Sequence, residues 1–215
     1  MWVGLRTLSF IYSILVDDGS EIVIPFRLRQ VCVYGSSLPS HHLLAIVESS
    51  TASITKLDLE FWRGFDWSPL TSLPSPAFCQ LAELRLVGSD IPPLAFLSRC
   101  GSLKKLVLYR YNSILTRPLM QLREELASLP NPTLVKCDID LRYVLWDGGI
   151  VTLRELETLI EIPSLANLER LQLVLPPDMD LADVEILRGI KGKEGKLVVE
   201  VEFCESIPFA VVLSR

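Results

Sequence analysis

Leu81-Ala-Glu-Leu84-Arg-Leu86 and Leu103-Lys-Lys-Leu106-Val-Leu108 are two copies of one pattern, L-x-x-L-x-L, whose starts lie 103 − 81 = 22 residues apart. The closing x-L-x-L portion of each alternates with period 2, so its leucines share one side of a strand and the intervening residues the other. One such hexamer carries no information; recurrence gives it weight. Upstream copies, with aliphatic or aromatic substitutes, are Leu5-Arg-Thr-Leu8-Ser-Phe10, Leu28-Arg-Gln-Val31-Cys-Val33 and Ile54-Thr-Lys-Leu57-Asp-Leu59. Downstream, Leu168-Glu-Arg-Leu171-Gln-Leu173 is clean, while Leu134-Val-Lys-Cys137-Asp-Ile139 and Val198-Val-Glu-Val201-Glu-Phe203 are weaker. Successive starts are 23, 26, 27, 22, 31, 34 and 30 residues apart. The shorter spacings fall in the leucine-rich-repeat range of about 20–29 residues, and the longer ones point to longer helices or insertions.

Helical or turn segments separate the copies. Pro39 to Ser50 (PSHHLLAIVESS) and Pro93 to Cys100 (PLAFLSRC) are two of them, the second opened by Pro92-Pro93 and closed by Gly101 as a C-cap. Leu119 to Leu129 has leucines three and four apart and stops before Pro130; Leu153 to Ile162 does the same before Pro163. A strand followed by a returning helix, repeated, predicts an α/β leucine-rich-repeat solenoid of the ribonuclease-inhibitor-like kind. Parallel strands would line its concave face and helices its convex face. The Pro/Ser stretch Pro69 to Pro76 reads as one inter-strand connection, so residues 1–215 are expected to form a single domain of about eight irregular repeats.

Composition narrows the function. With 21 Lys+Arg against 26 Asp+Glu, the net charge is 21 − 26 = −5, and the pI is near 5.2. No global positive field would draw nucleic acid. Mean hydropathy is high at +0.36, yet no apolar run nears the roughly 18–20 residues that span a bilayer, so no membrane association is expected. The apolar run Leu8 to Val16 follows Arg6 like a signal peptide, but Asp17-Asp18-Gly19 comes next rather than a small-residue cleavage site, and a core strand is the better reading. Ile207 to Leu213 is too short for an anchor. Cys32, Cys79, Cys100, Cys137 and Cys204 are widely spaced and odd in number, which suits free thiols in the cytoplasm or nucleus. His41 and His42 have no partner at metal-ligand spacing.

Motifs for chemistry are weak. Gly189-Ile-Lys-Gly192-Lys-Glu-Gly195-Lys196 has five residues between Gly189 and Gly195 and Leu197 after the lysine, so the phosphate-loop spacing and its hydroxyl are both missing; it reads as a solvated turn. Carboxylates pair or cluster at Glu124/Glu125, Asp138/Asp140 and Asp178/Asp180/Asp183. Asp138 and Asp140 share a strand face, as acid–base work would need, but the exposed face of a repeat strand supplies the same pattern without chemistry. No G-x-S-x-G occurs, and the adjacent Ser40 and His41 cannot orient each other as a triad does. The chain is therefore expected not to be an enzyme and to need no cofactor or metal.

Several stretches resemble the F-box/leucine-rich-repeat proteins expanded in mushroom-forming fungi. Pro93-Leu-Ala-Phe-Leu-Ser-Arg-Cys-Gly-Ser-Leu-Lys-Lys-Leu-Val-Leu108 is similar to that family's short helix, Ser-Arg-(Ser or Cys) and L-x-x-L-x-L. Leu153 to Leu173 resembles its terminal helix, linker and strand, and Leu187 to Val201 its last helix, loop and edge strand. The resemblance covers most of residues 81–203 and fits more loosely before them. It implies the substrate-recognition region of a ubiquitin-ligase receptor, a protein-binding solenoid. Family members dock a Skp adaptor through an N-terminal F-box. Here a repeat strand begins by Leu5, so the F-box and an N-terminal cap are expected to be absent, and the adaptor would bind only through an F-box upstream in a longer protein. The alternative is a leucine-rich-repeat assembly or inhibitor module unrelated to ubiquitin ligase; an upstream F-box exon separates the two.

Alternation predicts the partner-facing surface. Thr7, Ser9, Gln30, Cys32, Lys56, Asp58, Glu83, Arg85, Lys105, Val107, Lys136, Asp138, Arg170, Gln172, Glu200 and Glu202 should line the concave face. Charges of alternating sign there favour a peptide or protein ligand. Loops after the strands carry Phe61 to Trp67 (with Trp62, Phe65 and Trp67), Tyr109-Arg110-Tyr111 and Tyr143 to Trp146. Trp, Tyr and Arg on one rim would make a binding hot spot; alternatively Trp62, Phe65 and Trp67 plug the gap between strands. The candidate partner-binding residues are Lys56, Asp58, Trp62, Trp67, Arg85, Lys105, Tyr109, Tyr111, Asp138 and Trp146.

Overall fold

Each hexamer becomes a strand because its alternate leucines can be buried only if the backbone is extended. The computed structural model describes residues 5–11, 27–35, 38–61, 78–89, 95–112, 118–140, 158–159, 161–175, 182, 185–186, 189 and 197–203. Its strands are β1 (Thr7–Ile11), β2 (Gln30–Tyr34), β3 (Lys56–Glu60), β4 (Glu83–Ser89), β5 (Lys105–Asn112), β6 (Lys136–Asp140), β7 (Arg170–Leu175) and β8 (Val198–Phe203). They form one eight-stranded sheet in sequence order. Every neighbouring pair is parallel. The fold is α/β with few helices.

A backbone motif just before the strands locks this register. The carbonyls of Arg6, Arg29, Thr55, Ala82, Lys104 and Val135 each accept hydrogen bonds from two successive amides of the next unit, for example Thr55 and Lys56 on Arg29. Hydroxyls reinforce the stacking: Ser53 Oγ donates to the Leu28 carbonyl at 2.7 Å and Thr133 Oγ1 to the Leu103 carbonyl at 2.8 Å. Buried backbone oxygens are thereby satisfied between units.

The hexamer leucines form one ladder. Leu57, Leu84, Leu106, Cys137 and Leu171 are register partners across five adjacent strands, and Leu59, Leu86, Leu108, Ile139 and Leu173 form the next row. All lie in a single buried cluster. The connecting elements pack on that side. Helix α1 (Ser40–Glu48) buries His42, Leu43, Ile46 and Val47, a helical stripe, and α2 (Pro118–Ala127) begins at Pro118 and buries Leu122, Glu125 and Leu126. Short 3₁₀ helices occupy Ala95–Arg99 and Pro163–Leu165.

Four expectations need correction. The last copy is shifted by two residues, because Val198 pairs with Arg170 and Val199 with Leu171, so the hexamer position of Leu168 falls on Lys196. Tyr109-Arg110-Tyr111 is not a loop, since β5 runs on to Asn112. Gly101 does not take the left-handed conformation of a C-cap; among the described glycines Gly35 does, at φ 54°. The segment from Pro93 forms a 3₁₀ turn rather than an α-helix over the residues described. Residues Trp62 to Trp67, Pro69 to Pro76, Tyr143 to Trp146, Leu153 to Glu157, Ile190 to Lys196 and Cys204 lie outside the described residues.

Candidate functional site

On the sheet side opposite the leucine ladder, the remaining strand residues line up in ranks that cross the strands. The first holds Lys56, Glu83, Lys105, Lys136 and Arg170 in successive register. The second holds Asp58, Arg85, Val107, Asp138, Gln172 and Glu200. The third includes Tyr34, Glu60, Val87 and Tyr109, and farther on Asp140, Val174 and Glu202. Sequence alternation therefore placed Lys56, Asp58, Arg85, Lys105 and Asp138 on one surface, as expected. Tyr109 joins it by register position alone, opposite Val87. Trp62, Trp67 and Trp146 lie outside the described residues.

Charge is sorted by rank rather than alternating. The first rank carries Lys56, Lys105, Lys136 and Arg170 against Glu83, or 4 − 1 = +3. Arg85 against Asp58, Asp138 and Glu200 gives 1 − 3 = −2 in the second. Glu60 is acidic in the third, where Asp140 and Glu202 fall by register position alone. Among the described side chains the surface is basic where the strands begin and acidic one rank farther on.

Alternation also predicted an accessible middle rank, and this is only partly so. Cys32, Asp58, Val107 and Gln172 are 7%, 5%, 4% and 8% exposed. The middle residue of a short strand is flanked along its own chain as well as across it. Burial there demands partners. Asp58 accepts a hydrogen bond from Tyr34 Oη at 2.7 Å and one from the Arg85 guanidinium at 2.9 Å. Arg85 reaches on to Glu60 at 3.0 Å and lies over the Tyr34 ring. Lys56 stands 3.8 Å from Asp58 and 3.9 Å from Glu83. Burial, together with the bond to Asp58, pushes the Tyr34 hydroxyl well above its ordinary pKa, so it stays a donor. Tyr34 and Glu60 were missed because they lie beyond the last leucine of the hexamer.

The other half of the surface is wired differently. Arg170 donates to Gln172 at 3.0 Å and pairs with Glu200 at 2.7 Å. Lys105 and Lys136 sit directly opposite each other, and among the described residues neither has an ion-pair partner. Asp138 accepts no hydrogen bond there. Burial raises its pKa above the ordinary carboxylate value, outweighing the opposing pull of Lys105, Arg170 and Lys136; Glu200 adds to the rise. A carboxyl raised in the folded state stabilises most in acid, and that contribution is lost as pH climbs from the ordinary carboxylate value through the raised one. Replacing Asp138→Asn should leave stability at low pH nearly unchanged and make the protein relatively more stable than wild type above that window. Urea unfolding across pH checks this; a difference that does not vary with pH would contradict it.

Among the described residues no three His, Cys, Asp or Glu side chains gather where they could hold a metal ion. His42 is buried in α1 with its ring against His41. Cys32, Cys100 and Cys137 are buried free thiols and Cys79 an exposed one. Burial pushes the Cys100 thiol up to about 12, far from the thiolate a nucleophile needs. No helix among the described residues is long and apolar enough to cross a membrane. No family model, curated protein or solved structure matches the chain.

Proposed function

We propose that the protein is a leucine-rich-repeat solenoid of the ribonuclease-inhibitor-like kind that acts as a non-catalytic protein-interaction scaffold. Its partner would lie on the sheet surface opposite the leucine ladder. One observation carries this reading: a sequential parallel sheet buries one side in its own helices and arrays polar side chains in register on the other. Such a surface gives an extended ligand repeated, evenly spaced contacts. The resemblance to fungal F-box/leucine-rich-repeat proteins favours substrate recognition for a ubiquitin ligase, with catalysis supplied by partners. A Skp adaptor would then bind through an F-box elsewhere in the full-length protein. Reduced buried thiols suit the cytoplasm or nucleus.

Photo-crosslinking tests the reading. A benzophenone amino acid at Glu83 or Lys136, on the sheet surface, should give partner adducts in a fungal lysate. The same probe at Arg123 or Glu124, exposed on α2, should give none. Adducts confined to α2, or equal at both places, would overturn it.

A further inference from the structure

We propose that the adjacent first-rank cations of β5 and β6, Lys105 and Lys136, dock an extended acidic segment of a protein partner lying across the starts of these strands. The inference rests on the scaffold reading above and adds the chemistry of the ligand. Adjacent parallel strands bring the two cations to the same register, at a spacing of roughly 4.8 Å. Like charges directly opposite each other on a sheet destabilise it. Elsewhere in this rank the cost is offset internally: Lys56 lies near Asp58 and Glu83, and Arg170 pairs with Glu200. Lys105 and Lys136 lack such a partner among the described residues, so the positive charge there is available to an external carboxylate.

Shape of the potential selects the ligand class. The basic strip is one rank deep, bordered in the second rank by Asp138 on β6 and Glu200 on β8. A nucleic acid lays phosphates over a broad surface and would meet those acids as well. An extended peptide is narrow enough to set its carboxylates on the strip alone. Such a contact gains more in on-rate and selectivity than in raw affinity, and salt weakens it. Glu83, in register beside Lys105, and Asp138, two residues along the strand from Lys136, are the anions that compete for the strip; Lys105, Lys136 and Arg170 all act on Asp138 electrostatically.

The test is fluorescence anisotropy on the full chain with a labelled Glu-Ser repeat peptide and its Gln-Ser and Lys-Ser counterparts. The Glu-Ser peptide should bind best and lose affinity as salt rises. The double reversal Lys105→Glu/Lys136→Glu should weaken it about tenfold, and Asp138→Asn should tighten it about threefold. Arg123→Glu on α2 should change nothing, and circular dichroism should report a folded chain for every variant. Equal binding of the Glu-Ser and Gln-Ser peptides, or indifference to the double reversal, overturns the proposal. So does tighter binding of labelled oligothymidine with the same sensitivity to reversal, which would assign the strip to nucleic acid. If the Gln-Ser or Lys-Ser peptide wins while crosslinks still map to the sheet surface, the scaffold reading stands and the acidic ligand falls. If crosslinks leave that surface, the scaffold reading falls first.

Discussion

Leu106→Ala is expected to lower the free energy of unfolding in urea by about 2–5 kcal/mol. Leu106 is fully buried and stands in register between Leu84 on one side and Cys137 on the other. Deleting its isobutyl group removes transfer free energy and leaves a space that neighbouring strands cannot close, since the paired amides on the Ala82 and Lys104 carbonyls hold them in place. In a stacked architecture each unit is stabilised mainly by its neighbours. A hole at β5 therefore weakens the contacts with both β4 and β6. The same truncation at Leu8, only partly buried in the edge strand β1, should cost markedly less. Equal costs at both sites, or none at Leu106, would mean that the ladder is not the main source of stability.

That ladder was legible because its signal is local and repeated. The hexamer fixes which side each strand residue takes, and equal hexamer position fixes which residues meet across strands. Asp58 and Arg85 could therefore be paired from sequence: each is the fifth residue of its copy, 85 − 58 = 27 residues apart. The eighth copy misled because Val199, Val201 and Phe203 are apolar at alternate positions, so two registers two residues apart both fit; the Val198 amide on the Glu169 carbonyl settles it. Residues outside the template carried no such signal. Tyr34 and Glu60 follow the last apolar position, so their part in the Asp58 network emerges only with the register. Phe78 is fully buried against Phe96, at a positive φ of 69°. No periodicity marks it, and an aromatic residue rarely adopts that backbone conformation. Gap filling was one of two readings for Trp62, Phe65 and Trp67, which lie outside the described residues; at the two described ends of that connection, Phe61 and Phe78 are buried in the core. Charge sorting by rank was hidden too, because along the chain the signs simply mix.

Asp58→Ala should be the most damaging change on the polar surface, lowering stability by about 2–3 kcal/mol. Its carboxylate accepts from both the Tyr34 hydroxyl and the Arg85 guanidinium. Without it, Tyr34 loses its 2.7 Å bond and Arg85 keeps Glu60. A fully buried pair broken on one side costs about 3–5 kcal/mol; Arg85 is 29% exposed, and water recovers part of that loss. Removing the charges together is a different experiment. Asp58→Leu with Arg85→Met leaves no buried ion to desolvate, so it should cost less than Asp58→Ala alone. A double-mutant cycle on this pair should return a coupling above about 1 kcal/mol. A coupling near zero would mean that solvent screens the pair despite the burial of Asp58, and that the middle rank is held by packing alone. The two outcomes also separate two views of the surface. A strongly coupled network fixes the β2–β4 half as a rigid platform and leaves Lys105 and Lys136 as the groups with charge to spare.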